Sequence, residues 1–527
     1  MPHAQLELSE TNFRKRKRGK MSLPLPAFAP LRRFTEPGRR IAGLAAAGAA
    51  LMLLAGCQTN PATGQRQFTA FMSPAQEQQT GDEEHPKILK EFGDAYGDKK
   101  VTGWVDKVGE RVASYSDKPD LRYTFTVLDT PVINAFALPG GYVYITRGLL
   151  ALANDEAEVA GVLGHEVGHI AARHTAERYS QSVVANLGVT AAAVLTGNNQ
   201  LAGALGQGAQ LALLGYSRDQ EYQADQLGIR YLGRTGYDPE AMSNFLRQLQ
   251  RNEQLDAKLA GQSARDNTQD FFATHPNTGD RVTKADSLAQ QTKGNGLARG
   301  RDSYMAMVDG LLYGDSAEQG YVRGHDFIHV PLGFRFEVPP GFNISNSTNK
   351  VVATNANGSI IAFDSDSLSK APGGSMTRYL QEVWAKGSDL QQVESIDING
   401  LTAATGYVRG AVNGNAADIR AVAIRFDSKS IYRFMFITAP GKTASEAEGL
   451  KRTTYSFRAL TPQEKSSIGP LRIRLVTAKA GDTMTSLAEK MDVPDLKLET
   501  FAVLNGLPAN APLVAGQQLK IIREEKS

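Results

Sequence analysis

The residues best placed to do chemistry are His165-Glu166-Val167-Gly168-His169. Histidines four apart lie one turn apart on the same face of a helix, so both imidazoles can reach one cation. Zinc suits such a pair, because imidazole and carboxylate ligands can leave a coordination position open. Glu166 projects beside them and is the candidate general base. A hydrolytic zinc site of this kind requires a third protein ligand. His174 follows His169 by five positions, about 140° round a continuous helix, and is expected to point away. Glu221 is the better candidate, in Ser217-Arg-Asp-Gln-Glu221-Tyr-Gln-Ala-Asp225. On a second helix Glu221 and Asp225 share a face. Glu221 can close a set of two imidazoles and one carboxylate around one Zn²⁺ per chain, and Asp225 can accept the far N–H of a ligand histidine.

Rigid elements have to hold these groups. Asp155 can cap a helix start, and Glu158 completes a capping-box spacing. Val159, Val162, Leu163, Val167 and Ile170 then recur at helical intervals. Upstream, Ile88 to Ala95 and Val101 to Tyr115 carry helical patterning, and Tyr123 to Leu128 alternates as a strand does. Asn134 to Gly141 reads as a turn, and Tyr142 to Thr146 as a further strand. An extended peptide could pair with that strand through main-chain hydrogen bonds. The Ala/Gly-rich run Val183 to Leu214, broken at Gly197-Asn-Asn-Gln200, reads as two helices packed over the site. From Phe327 the texture changes to short strands, with candidates at Phe334–Val338, Ile360–Phe363, Ala403–Val408, Ile419–Phe426 and Ile431–Thr438, and a helix near Met376 to Trp384. Residues 461–470 read as a linker before a last small unit.

The 527 residues exceed what one hydrophobic core supports, and 41% hydrophobic with 21% charged residues marks a globular chain. Residues 1–56 hold ten basic and three acidic side chains; taking that surplus of seven from the net +3 leaves −4 on the other 471 residues. Such a chain has no electrostatic reason to seek nucleic acid. The basic stretch precedes sixteen apolar residues, Ile41 to Gly56. As a helix they span about 24 Å, short of a hydrocarbon core of about 30 Å. A positive segment before a short apolar one is the pattern of a secretory signal. Leu54-Ala-Gly-Cys57 then resembles a bacterial lipobox, in which the thiol is acylated and becomes the mature N-terminus; the alternative is an uncleaved anchor. Cys57 is the one cysteine of the chain, which excludes an intramolecular disulfide and a Cys-rich zinc site. Gln58, rather than Asp, points by the same resemblance to the outer membrane, and translation could begin at Met21.

The zinc motif and Glu221, 52 residues beyond His169, together resemble the gluzincin metallopeptidases related to HtpX and the CAAX prenyl endopeptidase, in their periplasmic lipoprotein branch. Three further stretches carry the resemblance. Asn134-Ala-Phe-Ala-Leu-Pro-Gly-Gly141-Tyr142-Val143-Tyr144 is similar to the family's substrate-binding edge strand. Thr274-His275-Pro276 with Arg281 is similar to its distal His-Pro element, and Asn60-Pro-Ala-Thr-Gly64 to its lipoprotein members. The resemblance covers about 57–290. It implies Arg281 as a supporting residue; His275 is a candidate oxyanion donor, with gating of the zinc or a structural turn as alternatives. Residues 332–342 and 453–457 resemble PsbP-like domains. Ala480-Gly-Asp-Thr-Met-Thr-Ser-Leu-Ala488, Leu504-Asn-Gly-Leu507 and Ala515-Gly-Gln-Gln-Leu-Lys-Ile521 resemble a LysM module, whose family binds peptidoglycan glycans.

The expectation is therefore an α+β chain. A signal peptide (1–56) precedes a mainly helical zinc-metallopeptidase domain with a small edge sheet (57–315). An α/β sandwich domain (321–460), a linker (461–470) and a LysM-like domain (471–527) follow. The expected activity is cleavage of extended or misfolded envelope polypeptides by a lipid-tethered periplasmic endopeptidase. The rival is a non-catalytic chaperone or scaffold joining outer membrane to peptidoglycan.

Overall fold

The computed structural model describes residues 57–196, 215–259, 275, 279–292, 297–347, 350–412, 414–508 and 510–526. The expected signal peptide, the break at 197–200 and both neighbours of His275 lie outside the described residues. Two compact units result, a small one that includes 64–73 and 177–196 and a large one that holds most of the chain. In the small unit, β1 (Cys57–Thr59) pairs antiparallel with β2 (Arg66–Phe68). Asn60 donates its amide to Gln67 at 2.9 Å beside this pair. Cys57 is a free, half-buried thiol.

The large unit opens with α1 (Pro74–Phe92) and α2 (Lys99–Ser114). Asp98 caps α2 through the amides of Lys100 and Val101, and Val101, Val105, Val108 and Val112 bury one stripe of it. Then come β3 (Thr124–Leu128), β4 (Ala135–Leu138) and β5 (Tyr142–Thr146). They form a sheet in the order β3-β5-β4, with β5 parallel to β3 and antiparallel to β4. The stretch read as a turn over 134–141 is thus mostly strand. Only Pro139-Gly-Gly141 turns, with Gly140 and Gly141 at φ 84° and 95°.

Helices α3 (Arg147–Leu152) and α4 (Glu156–Ala171) follow, and α5 (His174–Thr196) carries residues of both units. Next are α6 (Arg218–Thr235), α7 (Glu240–Leu259), α8 (Arg281–Thr292), α9 (Arg301–Val308) and β6 (Leu312–Tyr313). Helix α4 is buried along almost its whole length and packs on α2, α6 and α7. Glycines let α4 and α6 touch: a Cβ at Gly228 would stand 3.0 Å from the His165 amide nitrogen, and one at Gly168 3.0 Å from Leu227 Cβ. Among the described residues no helix is long and apolar enough to cross a membrane.

Residues 321–459 form antiparallel sheets. Strands β7 (Tyr321–Arg323), β8 (Asp326–His329) and β9 (Phe334–Glu337) make one sheet. The other contains β10 (Phe342–Asn346), β11 (Val351–Asn355), β12 (Ile360–Ser367), β13 (Gln391–Ile398), β14 (Leu401–Val412), β15 (Asn415–Arg425) and β16 (Ser430–Thr438), in the order β10-β11-β12-β16-β15-β14-β13. Helix α10 (Thr443–Ser456) lies against it, and β17 (Arg458–Ala459) completes the smaller sheet. The helix expected near Met376 is a single α turn, Met376–Arg378, running into a π-helical Tyr379–Trp384.

The segment 461–470, expected as a linker, instead forms α11 (Pro462–Ser467), because Thr461 and Glu464 close a capping box around a proline at the first turn. The last elements are β18 (Leu471–Thr477), α12 (Met484–Ala488), α13 (Lys497–Leu504) and β19 (Gln518–Glu524). Strand β18 pairs with β19 on one side and with β6 on the other. Ile473, Leu487, Phe501 and Leu519 join the same hydrophobic core as Val159, Leu163 and Met305. Lys520 is fully buried there, and its Nζ donates to the carbonyls of Ala151 (2.8 Å) and Ala153 and to the Tyr304 hydroxyl (3.0 Å).

Candidate metal centre

Helix α4 begins at Asp155, whose carboxylate accepts the Glu158 amide at 2.9 Å. The Glu158 carboxylate reaches the amide of Asn154 (2.7 Å), one residue earlier than the expected capping box. Burial and the neighbouring Asp155 push the Glu158 carboxyl up to about 7. Two turns further on, His165 and His169 present their Nε2 atoms to each other at 3.0 Å. Helix α6, capped by Ser217, brings Glu221 against them, its carboxylate 3.6 Å from His165 Nε2 and 3.5 Å from His169 Nε2. His275 completes the cluster: its Nδ1 is 2.9 Å from Glu221 Oε1 and 3.2 Å from His165 Nε2. One ligand atom from each of these four residues lies within 4.8 Å of the other three, and all four residues are buried.

The donor set fits zinc. Two imidazoles, His165 and His169, and the Glu221 carboxylate are usual ligands of that ion, and they need a deprotonated carboxylate and neutral rings. Burial holds His169 well below the ordinary imidazole value. Burial alone would raise Glu221, but His275, His169 and His165 outweigh it and hold the carboxyl well below its usual range. Glu166, on the neighbouring position of α4, is fully buried, and neither carboxylate oxygen has a hydrogen-bond donor. That orphaned pair of acceptors, 3.5 Å from His275 Nε2, is what a site built for a polar guest leaves behind. Burial pushes the Glu166 carboxyl up.

A buried shell fixes the ligands. His165 Nδ1 lies 2.9 Å from Asp225 Oδ1. Arg281, also buried, grips Asp225 with two hydrogen bonds (2.9 and 2.8 Å) and pairs with Glu221 at 2.8 Å. His174, expected to face away, turns back: α4 ends at Ala171, Arg173 takes a left-handed φ of 55°, and α5 starts afresh. His174 Nδ1 thereby comes within 2.8 Å of His169 Nδ1, and its Nε2 within 3.1 Å of Gln223 Oε1. The Tyr216 ring stacks on His169, with centroids 3.8 Å apart. His174 was expected to face away, and nothing in the sequence singled out Tyr216 or Gln223, which stands about 200° round α6 from Glu221.

The expected peptide-pairing strand is corrected. Both edges of β5 are taken, by β3 and by β4, so Gly141, Tyr142, Val143 and Tyr144 offer no free edge. Tyr142 donates its hydroxyl to Asp82 (2.7 Å) and stacks on His85, and the Tyr144 hydroxyl meets His85 Nδ1 at 2.7 Å. Asn134 is buried, its main chain tied to Thr146. The edge nearer α4 belongs to β4. A small cavity of about 80 Å³ there is lined by Ala137, Leu138, Gly140, His169 and Arg173.

Two histidines on one helix, a carboxylate from a second and a buried glutamate beside them make a site that could hold a zinc ion with a base at its side. Residues 99–289 match the model of peptidase family M48. Residues 476–521 match the LysM domain. The chain is 30% identical over 227 residues to the beta-barrel assembly-enhancing protease of Yersinia pestis, covering 41% of this chain and 45% of that protein. It is 27% identical over 259 residues to the protein of the same name in Escherichia coli K12, covering 47% and 51%. To the mitochondrial metalloendopeptidase OMA1 of Schizosaccharomyces pombe it is 30% identical over 212 residues, covering 40% and 59%. The chain thus spans about half the length of the curated relatives it matches. Among solved structures, cyanobacterial PsbP from Synechocystis aligns at 18% identity and a TM-score of 0.20, over 24% of this chain and 86% of that one.

Proposed function

We propose that the chain is a zinc-dependent endopeptidase of the bacterial envelope that cleaves extended or misfolded polypeptides. The observation that carries this reading is the buried cluster of His165, His169 and Glu221 with Glu166 beside it. Zinc in such a set supplies a Lewis acid for the scissile carbonyl and lowers the pKa of water from 15.7 toward about 7. Glu166, raised by burial, is suited to take a proton from water and return it to the leaving amine. Asp225 and Arg281 hold His165 and Glu221 in place. A peptide adding to the edge of β4 that no described strand pairs with would run past His169, and main-chain pairing tolerates many sequences.

His275 sits among the ligand atoms rather than beside them, which supports a resting site that His275 closes; oxyanion stabilisation would require its ring to withdraw first. The relatives named for beta-barrel assembly support envelope proteins as substrates. Cys57 in its lipobox supports a lipid tether at the outer membrane, and the LysM match supports a peptidoglycan contact. Casein cleavage by purified residues 58–527, with and without chelator, tests the reading. Chelation and Glu166→Gln are each expected to abolish cleavage, and about one zinc per chain should be lost on Glu221→Ala. Cleavage unaffected by Glu166→Gln would overturn it. Chaperone activity surviving alone would favour the scaffold reading.

A further inference from the structure

The region 321–460 has a hollow of its own, independent of the metal centre. Alternate residues of β13, β15 and β16 point to the face that α10 covers, and the helix leaves a cavity of about 340 Å³ unfilled. Exposed lining residues such as Ala447 and Lys451 make it a cleft open to solvent, which a ligand can enter. Ile396, Val422, Phe436 and Leu450 form its inner wall, and all but Ile396 are buried. The outer wall is different. Arg420 and Lys451 line it and are exposed, and neither has a carboxylate partner among the described residues. The one side-chain hydrogen bond of Arg420 goes to the Thr405 hydroxyl at 3.3 Å. Asp418, also in the lining, cannot neutralise them. Its carboxylate is filled by Arg409 (2.7 Å), the Tyr407 hydroxyl (2.7 Å) and the Thr443 hydroxyl (2.6 Å), which hold its carboxyl far below the usual range. Glu394 leaves the rim with one free anion against two free cations.

An apolar hollow of this size with a few polar groups at its rim has the anatomy of a small-molecule site. We propose that it binds an amphiphile with one anionic head group and an apolar tail. The tail lies between Val422, Phe436 and Leu450, and the head lies between Arg420 and Lys451. Hydrophobic burial supplies the affinity, and the unpaired cations select the sign of the head.

Titration of the full chain with dodecanoate, dodecanol and dodecylammonium, each below its micelle concentration, tests this by calorimetry. One dodecanoate per chain is expected, bound about fivefold more tightly than dodecanol, the worth of one exposed ion pair near 1 kcal/mol. Arg420→Gln and Lys451→Gln should each remove most of that preference and leave dodecanol binding unchanged. Ala447→Trp, at an exposed lining position on α10, should block all three ligands while the thermal midpoint stays put. Tighter binding of dodecylammonium would show that Glu394 dominates and overturn the proposal. So would the absence of dodecanoate binding, or binding that neither Arg420→Gln nor Ala447→Trp alters.

Discussion

His169 can offer Nε2 to a metal only if its proton sits on Nδ1. That proton then goes to His174 Nδ1, which in turn keeps its own on Nε2, facing Gln223 Oε1. A neutral ring thus does for His169 what the carboxylate of Asp225 does for His165. Such outer partners are worth about 10–100-fold in metal affinity. His174→Phe is therefore expected to weaken zinc binding within that range in a chelator competition, and His174→Asn, which keeps an acceptor, to weaken it less. The motif His165-Glu166-x-x-His169 was readable because four residues is close to one helical turn, and Glu221 and Asp225 were readable by the same geometry. His174 was misread because extrapolation at 100° per residue assumes one unbroken helix, and the left-handed Arg173 breaks it. Tyr216 stands outside any periodic run, so its stacking on His169 had no signal in the chain.

At the scale of elements, the centre depends on how closely α4 and α6 approach. Gly228 lies against the backbone of His165 itself, with Gly164 and Gly168 flanking the contact. Gly228→Val would force the two helices apart and draw Glu221 from the imidazoles. Overpacking of this kind costs about 1–3 kcal/mol. The expected outcome is loss of bound zinc by metal analysis, with helical circular dichroism retained. Sequence periodicity located both helices, but the glycine contact between them depends on tertiary packing that no spacing within one helix encodes. The same limit explains β5. Its apolar alternation marked a strand, yet whether a strand is central or at an edge depends on partners elsewhere in the chain, here the parallel pairing of Thr124–Leu128 with Tyr142–Thr146.

Across the whole molecule, the LysM elements and the M48 helices share one core, a sheet through β6 and β18, and the buried Lys520. Three oxygens surround the Lys520 nitrogen, enough to meet every donor it carries, while burial pushes its pKa well below the ordinary lysine value. Lys520→Ala would leave the Ala151 and Ala153 carbonyls buried without that donor, at about 1–3 kcal/mol each. Calorimetry is expected to show one cooperative transition for the M48 and LysM elements together, lowered by Lys520→Ala. Deletion of 471–527 should yield insoluble protein rather than a smaller protease. The LysM motif was legible in its sequence, but its attachment was not, since a lysine in a strand of that kind ordinarily reads as solvent-facing. The attachment also sets an order of events during biosynthesis. The floor beneath the Asp155 end of α4 is closed by β19, more than 300 residues downstream, so a chain still being synthesised has the histidine motif but not the strand that steadies it. The helix that carries the histidines is thereby left without its full support until the distal strand has arrived.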